Sequence, residues 1–330
     1  MKNWLGAAIV LAAVAGLALG AQPAGVGSIQ RADPAIDRLV PAGAKIEKLA
    51  GNFKFTEGPI WIHAGYLLFS DIPANSIMKW TPDGKVSVFR HPVFPGKFPE
   101  GQLIGSNGLT LDHQGRLISC EHGNRRVART EKDGKITVLA DRYEGKRLSS
   151  PNDAVVSKAG HIYFTDPPYG LAKQDDDPAK ETPFNGVYRI VTPGKPELLI
   201  RDMTRPNGLG FSPDEKKFYV GNSDPNQKIW RVYDVKPDGT LANGKLFYDV
   251  TKEAAEGLPD GMKLDTRGNL YCTGPGGIWV FSPQGKHLGT IAPPEVPANL
   301  NWGDADGKTL YITARTGLYR IRTSAVGIRP

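Results

Sequence analysis

Six oxygen-bearing side chains recur along this 330-residue chain, each standing directly before an apolar run: Glu57, Asn107, Asn152, Asn207, Asp260 and Asn299. Their settings rhyme. They read Thr56-Glu57-Gly58-Pro59, Ser106-Asn107-Gly108-Leu109, Ser150-Pro151-Asn152-Asp153, Pro206-Asn207-Gly208-Leu209, Pro259-Asp260-Gly261-Met262 and Ala298-Asn299-Leu300-Asn301. Asn, Asp and Glu are poor strand formers, so propensity does not explain the choice. Asn and Asp do bond local backbone at strand entries, but Glu57 has no such preference, and one offset used six times asks for a shared cause. Brought to one point, two carboxylates and four amides would suit a hard divalent cation, which takes six to eight oxygens at roughly 2.3 to 2.6 Å. Two negative charges balance one such ion. Without it, the facing carboxylates would raise each other's pKa.

The elements that would bring these residues together follow from their spacing. Successive anchors at 57, 107, 152, 207, 260 and 299 lie 50, 45, 55, 53 and 39 residues apart, and a period of about 40 to 50 residues is that of a four-stranded propeller blade. The second repeat shows the internal order. Gly108–Asp112 alternates apolar and polar, His113-Gln114-Gly115 turns the chain, and Arg116–Cys120 and Val127–Thr130 supply two further strands. Lys132-Asp133-Gly134-Lys135 makes a hairpin of the Asp-Gly kind, and Ile136–Leu139 is the fourth strand. No mature stretch longer than about ten residues has helical apolar spacing, so the chain is expected to be all β. The sixth repeat lacks an outer strand, and 45–50 (Lys-Ile-Glu-Lys-Leu-Ala) can supply it from the other terminus. The expectation is a single domain over 45–330, a six-bladed β-propeller of four-stranded antiparallel blades, closed by an N-terminal strand and preceded by an extension at 21–44. The first strand of each blade lines the central channel, so the six anchors would form a ring at one mouth.

Several runs resemble the gluconolactonase and senescence-marker-protein family of six-bladed propellers. They are Glu57-Gly58-Pro59, Ser150-Pro151-Asn152-Asp153, Arg205-Pro206-Asn207-Gly208 and Pro259-Asp260-Gly261, together with 120–126 (Cys-Glu-His-Gly-Asn-Arg-Arg) and 163–170 (Tyr-Phe-Thr-Asp-Pro-Pro-Tyr-Gly). The resemblance spans about residues 45–322. It implies a catalytic divalent cation, usually calcium, held by Glu57, Asn207 and Asp260, with Asn152 completing the shell or touching substrate. It also implies Asp260 as the catalytic carboxylate. Zinc, manganese and magnesium remain open as the ion. Diisopropyl fluorophosphatase is similar in its calcium ring, so the metal pattern alone does not separate lactone from phosphoester hydrolysis.

On this reading the substrate is a small lactone, whose carbonyl the ion would polarise, with Asp260 acting as general base or as nucleophile. Asn107, Asn152 and Asn299 are candidate substrate contacts. His122, just after the second strand of its blade, is a candidate substrate contact or proton shuttle, or else a hydrogen-bonded loop histidine; Asp166 and Tyr169, one blade on, carry the same alternatives. The insertion 91–105 is a lid or an elaborated connection, and Asp175-Asp176-Asp177 reads as a solvated loop. No Gly-x-Ser-x-Gly elbow, His-Glu-x-x-His helix, Cys-x-x-Cys pair or phosphate loop occurs. The rivals are a phosphotriesterase-like hydrolase with the same ion, and a propeller whose cation serves only rigidity or ligand binding.

Residues 1–20 read as a signal peptide: Lys2, an apolar stretch from Gly6 to Leu19, then small residues before Ala21. A periplasmic or secreted protein without a membrane anchor follows as the expectation. Cys120 and Cys272 would lie across the ring from one another and are expected as buried free thiols. The net charge of +7 is scattered, with no basic run among aromatics, so nucleic acid is not an expected partner. A closed propeller is expected to be a monomer.

Overall fold

The computed structural model describes residues 25–330, and the signal-peptide reading therefore lies outside the described residues. Six antiparallel blade sheets are present, each a meander beginning at the strand that carries or follows an anchor, with one further two-stranded hairpin of Arg142–Tyr143 and Lys146–Arg147. The innermost strands are Thr56–Ile62, Ser106–Leu111, Ala154–Val156, Pro206–Phe211, Met262–Leu264 and Pro297–Gly303. Each lies against the next, and the sixth lies against the first, which closes the ring. Among the described residues the only helical elements are two short 3-10 turns, Pro34–Arg38 and Gln174–Asp176. The chain is a six-bladed β-propeller.

Closure occurs where the missing sixth-blade strand predicted it. Ile46–Ala50 pairs antiparallel with Gly317–Arg322, with Ile46 opposite Ile321 and Lys48 opposite Tyr319. The edge that a sixth meander would leave open is thus satisfied by backbone from the opposite end of the chain. One feature goes beyond the expectation for 21–44. Ser28–Arg31 adds a fifth strand to the outer edge of the fifth blade, with Ser28 opposite Ala292. The following turn is capped by Asp33, whose Oδ1 accepts from the Ala35 amide at 2.8 Å. It delivers Ile36, Leu39 and Val40 into a cluster with Leu300, Trp302, Leu310 and Ile321. The segment is therefore part of the propeller wall, because an exposed blade edge offers unpaired backbone that a neighbouring segment can satisfy.

Between the blades the sheets pack through large side chains. Phe164 and Tyr188 stack at 5.2 Å beside the buried Cys120, and Tyr271 meets Trp302 edge-on at 5.0 Å. Cys120 and Cys272 are both buried and free, as two thiols on different blades should be. The five tryptophans among the described residues, 61, 80, 230, 279 and 302, are all buried in this packing.

Because the closing strand carries the buried Ile46 and the added fifth strand only the half-buried Ile29, truncations should separate them. Ile46→Ala is expected to cost about 2–4 kcal/mol by leaving a cavity, and Ile29→Ala about 1 kcal/mol or less. Urea denaturation followed by tryptophan fluorescence checks the order.

Candidate functional site

The anchors point at the axis because the inner strands are irregular there. Pairing with the second strand shifts register between Glu57 and Ile60, Ser106 and Leu109, Pro206 and Leu209, and Pro297 and Asn299. Such bulges re-aim a side chain without ending the strand. In the third and fifth blades the strand starts only at Ala154 and Met262, so Asn152 and Asp260 stand on irregular lead-in backbone. Convergence also explains the glycine after four of the anchors. A Cβ at Gly208 would fall 2.1 Å from the Asp260 carbonyl oxygen, and one at Gly261 would fall 2.2 Å from the Asn299 amide. Only hydrogen fits where six strands meet.

The structure brings the six anchors together. Asn107 Nδ2 donates to Asn152 Oδ1 at 2.5 Å, and Asn152 Nδ2 donates to Asn207 Oδ1 at 2.5 Å. The Asn207 amide in turn favours the charged form of Asp260 by hydrogen bonding, and Asp260 lies within hydrogen-bonding reach of Glu57. Asn299 Nδ2 joins the sixth anchor to the chain of bonds, donating to Glu57 Oε2 at 2.9 Å, while the Gly58 amide donates to the same oxygen at 2.6 Å. Glu57, Asn107, Asn152, Asn207 and Asn299 are buried. Asp260 is half-buried as a residue, yet its Oδ1 is out of water and without a partner, as is Asn107 Oδ1.

Burial pushes the Glu57 carboxyl up to about 7, helped by the charge of Asp153. Asp260 is pushed well above the ordinary carboxylate range, first by burial, then by Glu57 and Asp153. Among the described residues no three His, Cys, Asp or Glu side chains form a metal-holding group by themselves. The set here is mixed, two carboxylates and amide oxygens, which is the chemistry a hard cation takes. An orphaned buried carboxylate oxygen beside a second raised carboxylate fits a divalent cation, which would satisfy the oxygen and offset the repulsion at once. Glu57 and Asp260 would hold it with Asn152 and Asn207 beside them, whose Oδ1 atoms each accept from a neighbouring anchor and would offer their second lone pair.

Other residues take more particular places. His122 Nδ1 lies 3.3 Å from the Leu103 carbonyl, which can only accept, so the proton sits on Nδ1. Nε2 then carries a lone pair toward Asn107 Nδ2, 3.4 Å away. Burial holds this imidazole down at about 4, so it is neutral; it suits hydrogen-bond acceptance better than the proton-shuttle role. The insertion 91–105 positions it: Gly105 and Ile104 carbonyls accept from the amides of His122 and Gly123, and Gln102 reaches the Gly170 carbonyl at 3.3 Å. Asn299 departs from the expected substrate contact. Its Oδ1 accepts from the Leu300 amide at 2.8 Å and its Nδ2 is directed to the carboxylates of Glu57 and Asp153, so it is spent within the protein. Asp166 is likewise internal, accepting from the amides of Ser149 and Ser150 at 2.8 and 2.7 Å. Asp175 pairs with Arg205 and accepts from Asn185, which makes it a loop clip.

Tyr169 donates to the Ser223 carbonyl at 3.2 Å and stands beside Asn207 and Asp260. It also lines an open cavity of about 760 Å³ with Asn185, Arg205, Ser223 and Leu258, which none of the six anchors lines, so Tyr169 is the link between that space and the ring. The sequence reading missed Asp153. Its carboxylate is buried in the channel and acts on both Glu57 and Asp260. The signal was present: in the third repeat an acid stands where four others have glycine.

A family model described as SMP-30/Gluconolactonase/LRE-like region matches residues 55–316. A gluconolactonase of Zymomonas mobilis is 40% identical over 314 residues, covering 92% of this chain and 88% of the relative. Regucalcin of Oryctolagus cuniculus is 28% identical over 280 residues, covering 82% and 86%. The solved gluconolactonase of Xanthomonas campestris superposes with a TM-score of 0.78 at 30% identity, covering 92% of this chain and 99% of that one. A match across most of the propeller, joined to 40% identity along nearly its whole length, makes this chain a member of the SMP-30/gluconolactonase/LRE-like family.

Proposed function

We propose that this chain is an exported lactonase that opens a sugar lactone at the ring, with one divalent cation, calcium foremost, held by Glu57, Asn152, Asn207 and Asp260. Lactone hydrolysis is the activity for which the relatives from Zymomonas mobilis and Xanthomonas campestris are named. The observation that carries the site is the pair of raised, buried carboxylates, with Asp260 Oδ1 unpartnered. A cation bound there supplies polarisation of the lactone carbonyl and takes up negative charge as it develops on that oxygen.

The protein's own groups do the rest. Asp260 acts on the carbonyl carbon, either through water or by direct attack. Asn207 orients that carboxylate by its hydrogen bond, and Asn299 with the Gly58 amide does the same for Glu57. Asn107 offers its unpartnered Oδ1 to a substrate hydroxyl, and His122 Nε2, whose lone pair faces the Asn107 amide, orients that oxygen. A polyhydroxylated ring is recognised by such acceptors, which favours a sugar lactone over an apolar one.

Chelation is expected to abolish gluconolactone hydrolysis and calcium to restore it. Asp260→Asn is expected to lower kcat by about 10²–10⁴-fold. A pH-stat assay with gluconolactone, a lipophilic lactone and a phosphotriester decides the class: turnover of the phosphotriester alone, or full activity of Asp260→Asn, would sink the reading.

Proton competition gives a second check. The Glu57 carboxyl is raised from the ordinary 4.5 to about 7, so its proton must leave before the oxygen can serve a cation. Calcium affinity is therefore expected to rise with pH from about 5 to about 8, by up to about tenfold per unit for each proton displaced. The sign for stability is opposite without metal. A group whose folded pKa is raised stabilises below the unfolded value, and that stability is lost as pH climbs through about 7. Calorimetric titration and melting curves in chelator at pH 5.5 and 8 test both, and a pH-independent affinity would count against Glu57 as a ligand.

Export is tested separately. N-terminal sequencing of the protein from the periplasmic fraction is expected to begin near Ala21, and an intact Met1 would refute it.

A further inference from the structure

Four of the six anchors are followed by glycine and Asn299 by Leu300, while Asn152 alone is followed by an acid, Asp153. That residue is 2% exposed. Its Oδ1 accepts from the Ala154 amide at 2.8 Å. Its Oδ2 lies 3.4 Å from Asn299 Nδ2 and 3.8 Å from Lys263 Nζ. Those partners belong to the sixth and fifth blades, so a carboxylate of the third blade reaches across the axis behind the anchors. Lys263 comes from the innermost strand Met262–Leu264, with its ammonium also donating to the Met262 carbonyl at 2.9 Å. Its side chain is 17% exposed and lines a cavity of about 310 Å³, formed by later residues of the inner strands such as Val156, Phe211 and Leu264. That cavity is at the far end of the channel from the ring.

The charges in the channel can be counted. Once an ion has displaced the protons that burial favours on Glu57 and Asp260, these two and Asp153 supply three formal negatives, Lys263 supplies one positive, and His122 is neutral. Two negatives remain, which one divalent cation neutralises. We infer that Lys263, paired with Asp153, is a built-in counter-ion that sets the channel at two negative charges and thereby selects divalent over trivalent cations. This rests on the cation reading above and adds to it a specificity-determining pair that touches no substrate. The physical reason is that an extra fixed charge acts on an ion in proportion to the ion's own charge, and a buried channel screens little of it. A pair that served only folding would alter stability but not the ratio of affinities for ions of different charge.

The test compares calcium with terbium on the full chain, by calorimetry and terbium luminescence. Lys263→Met, which leaves three negatives, is expected to move the terbium-to-calcium affinity ratio about tenfold or more toward terbium. Asp153→Asn, which leaves one, is expected to move it the other way. The double variant and Lys263→Arg are expected to return the ratio to within about threefold of the starting protein. If Lys263→Met does not fold, Asp153→Asn against the double variant reads the same single-charge step. Ratios unchanged in the single variants of a protein that binds calcium would overturn the counter-ion role and leave the cation reading standing. A starting protein that binds neither ion would overturn both.

Discussion

Two carboxylates, Glu57 and Asp260, are held beside each other with no ion pair to either among the described residues, and the rest of the architecture makes that burial tolerable. Removing a carboxylate from water costs several kcal/mol even after relaxation, and the raised positions of Glu57 and Asp260 express that cost. Amide donors defray part of it at Glu57, through Gly58 and Asn299. At Asp260 an oxygen stays unmatched. That oxygen is the one the proposed cation would satisfy.

The holding depends on closure. The ring draws one member from each blade, so its geometry is a property of all six sheets and of the strand Ile46–Ala50 that joins the last to the N-terminal segment. Bulges turn the anchors inward, and glycines let the strands approach until neighbouring anchors can bond. The segment Ser28–Arg31 and the turn after it brace the fifth and sixth blades, which carry Asp260 and Asn299. A loosened wall would change distances at the axis, because each anchor is held by partners from the blades beside it.

Around the ring, chemically similar residues have been given different tasks by their surroundings. Asp260 keeps an oxygen free, whereas Asp166 spends both on backbone amides and ties a loop to its own blade. Asn107 retains an unpartnered oxygen, whereas Asn299 has none to offer. His122 is kept neutral by burial and oriented by the insertion at 91–105, whose carbonyls grip its backbone and its Nδ1. That insertion is thus a support for the site, a role that neither a lid nor a plain connection describes fully.

The amino-acid sequence by itself determined the repeat number, the all-β blades, the closing strand and the six anchors, because period, alternation and turn residues are local properties written along the chain. It also placed the acid after Asn152, although nothing local says what that acid meets. Tertiary structure alone decided which amide oxygens are free, which way His122 donates, that residues 28–40 join the wall, and that Asp153 lies between Asn299 and Lys263. Those outcomes hang on contacts between residues as far apart as 146 and 242 positions in the chain. Hydrogen-bond partners at a point of convergence are set by the neighbouring blade, and no window of sequence contains both sides.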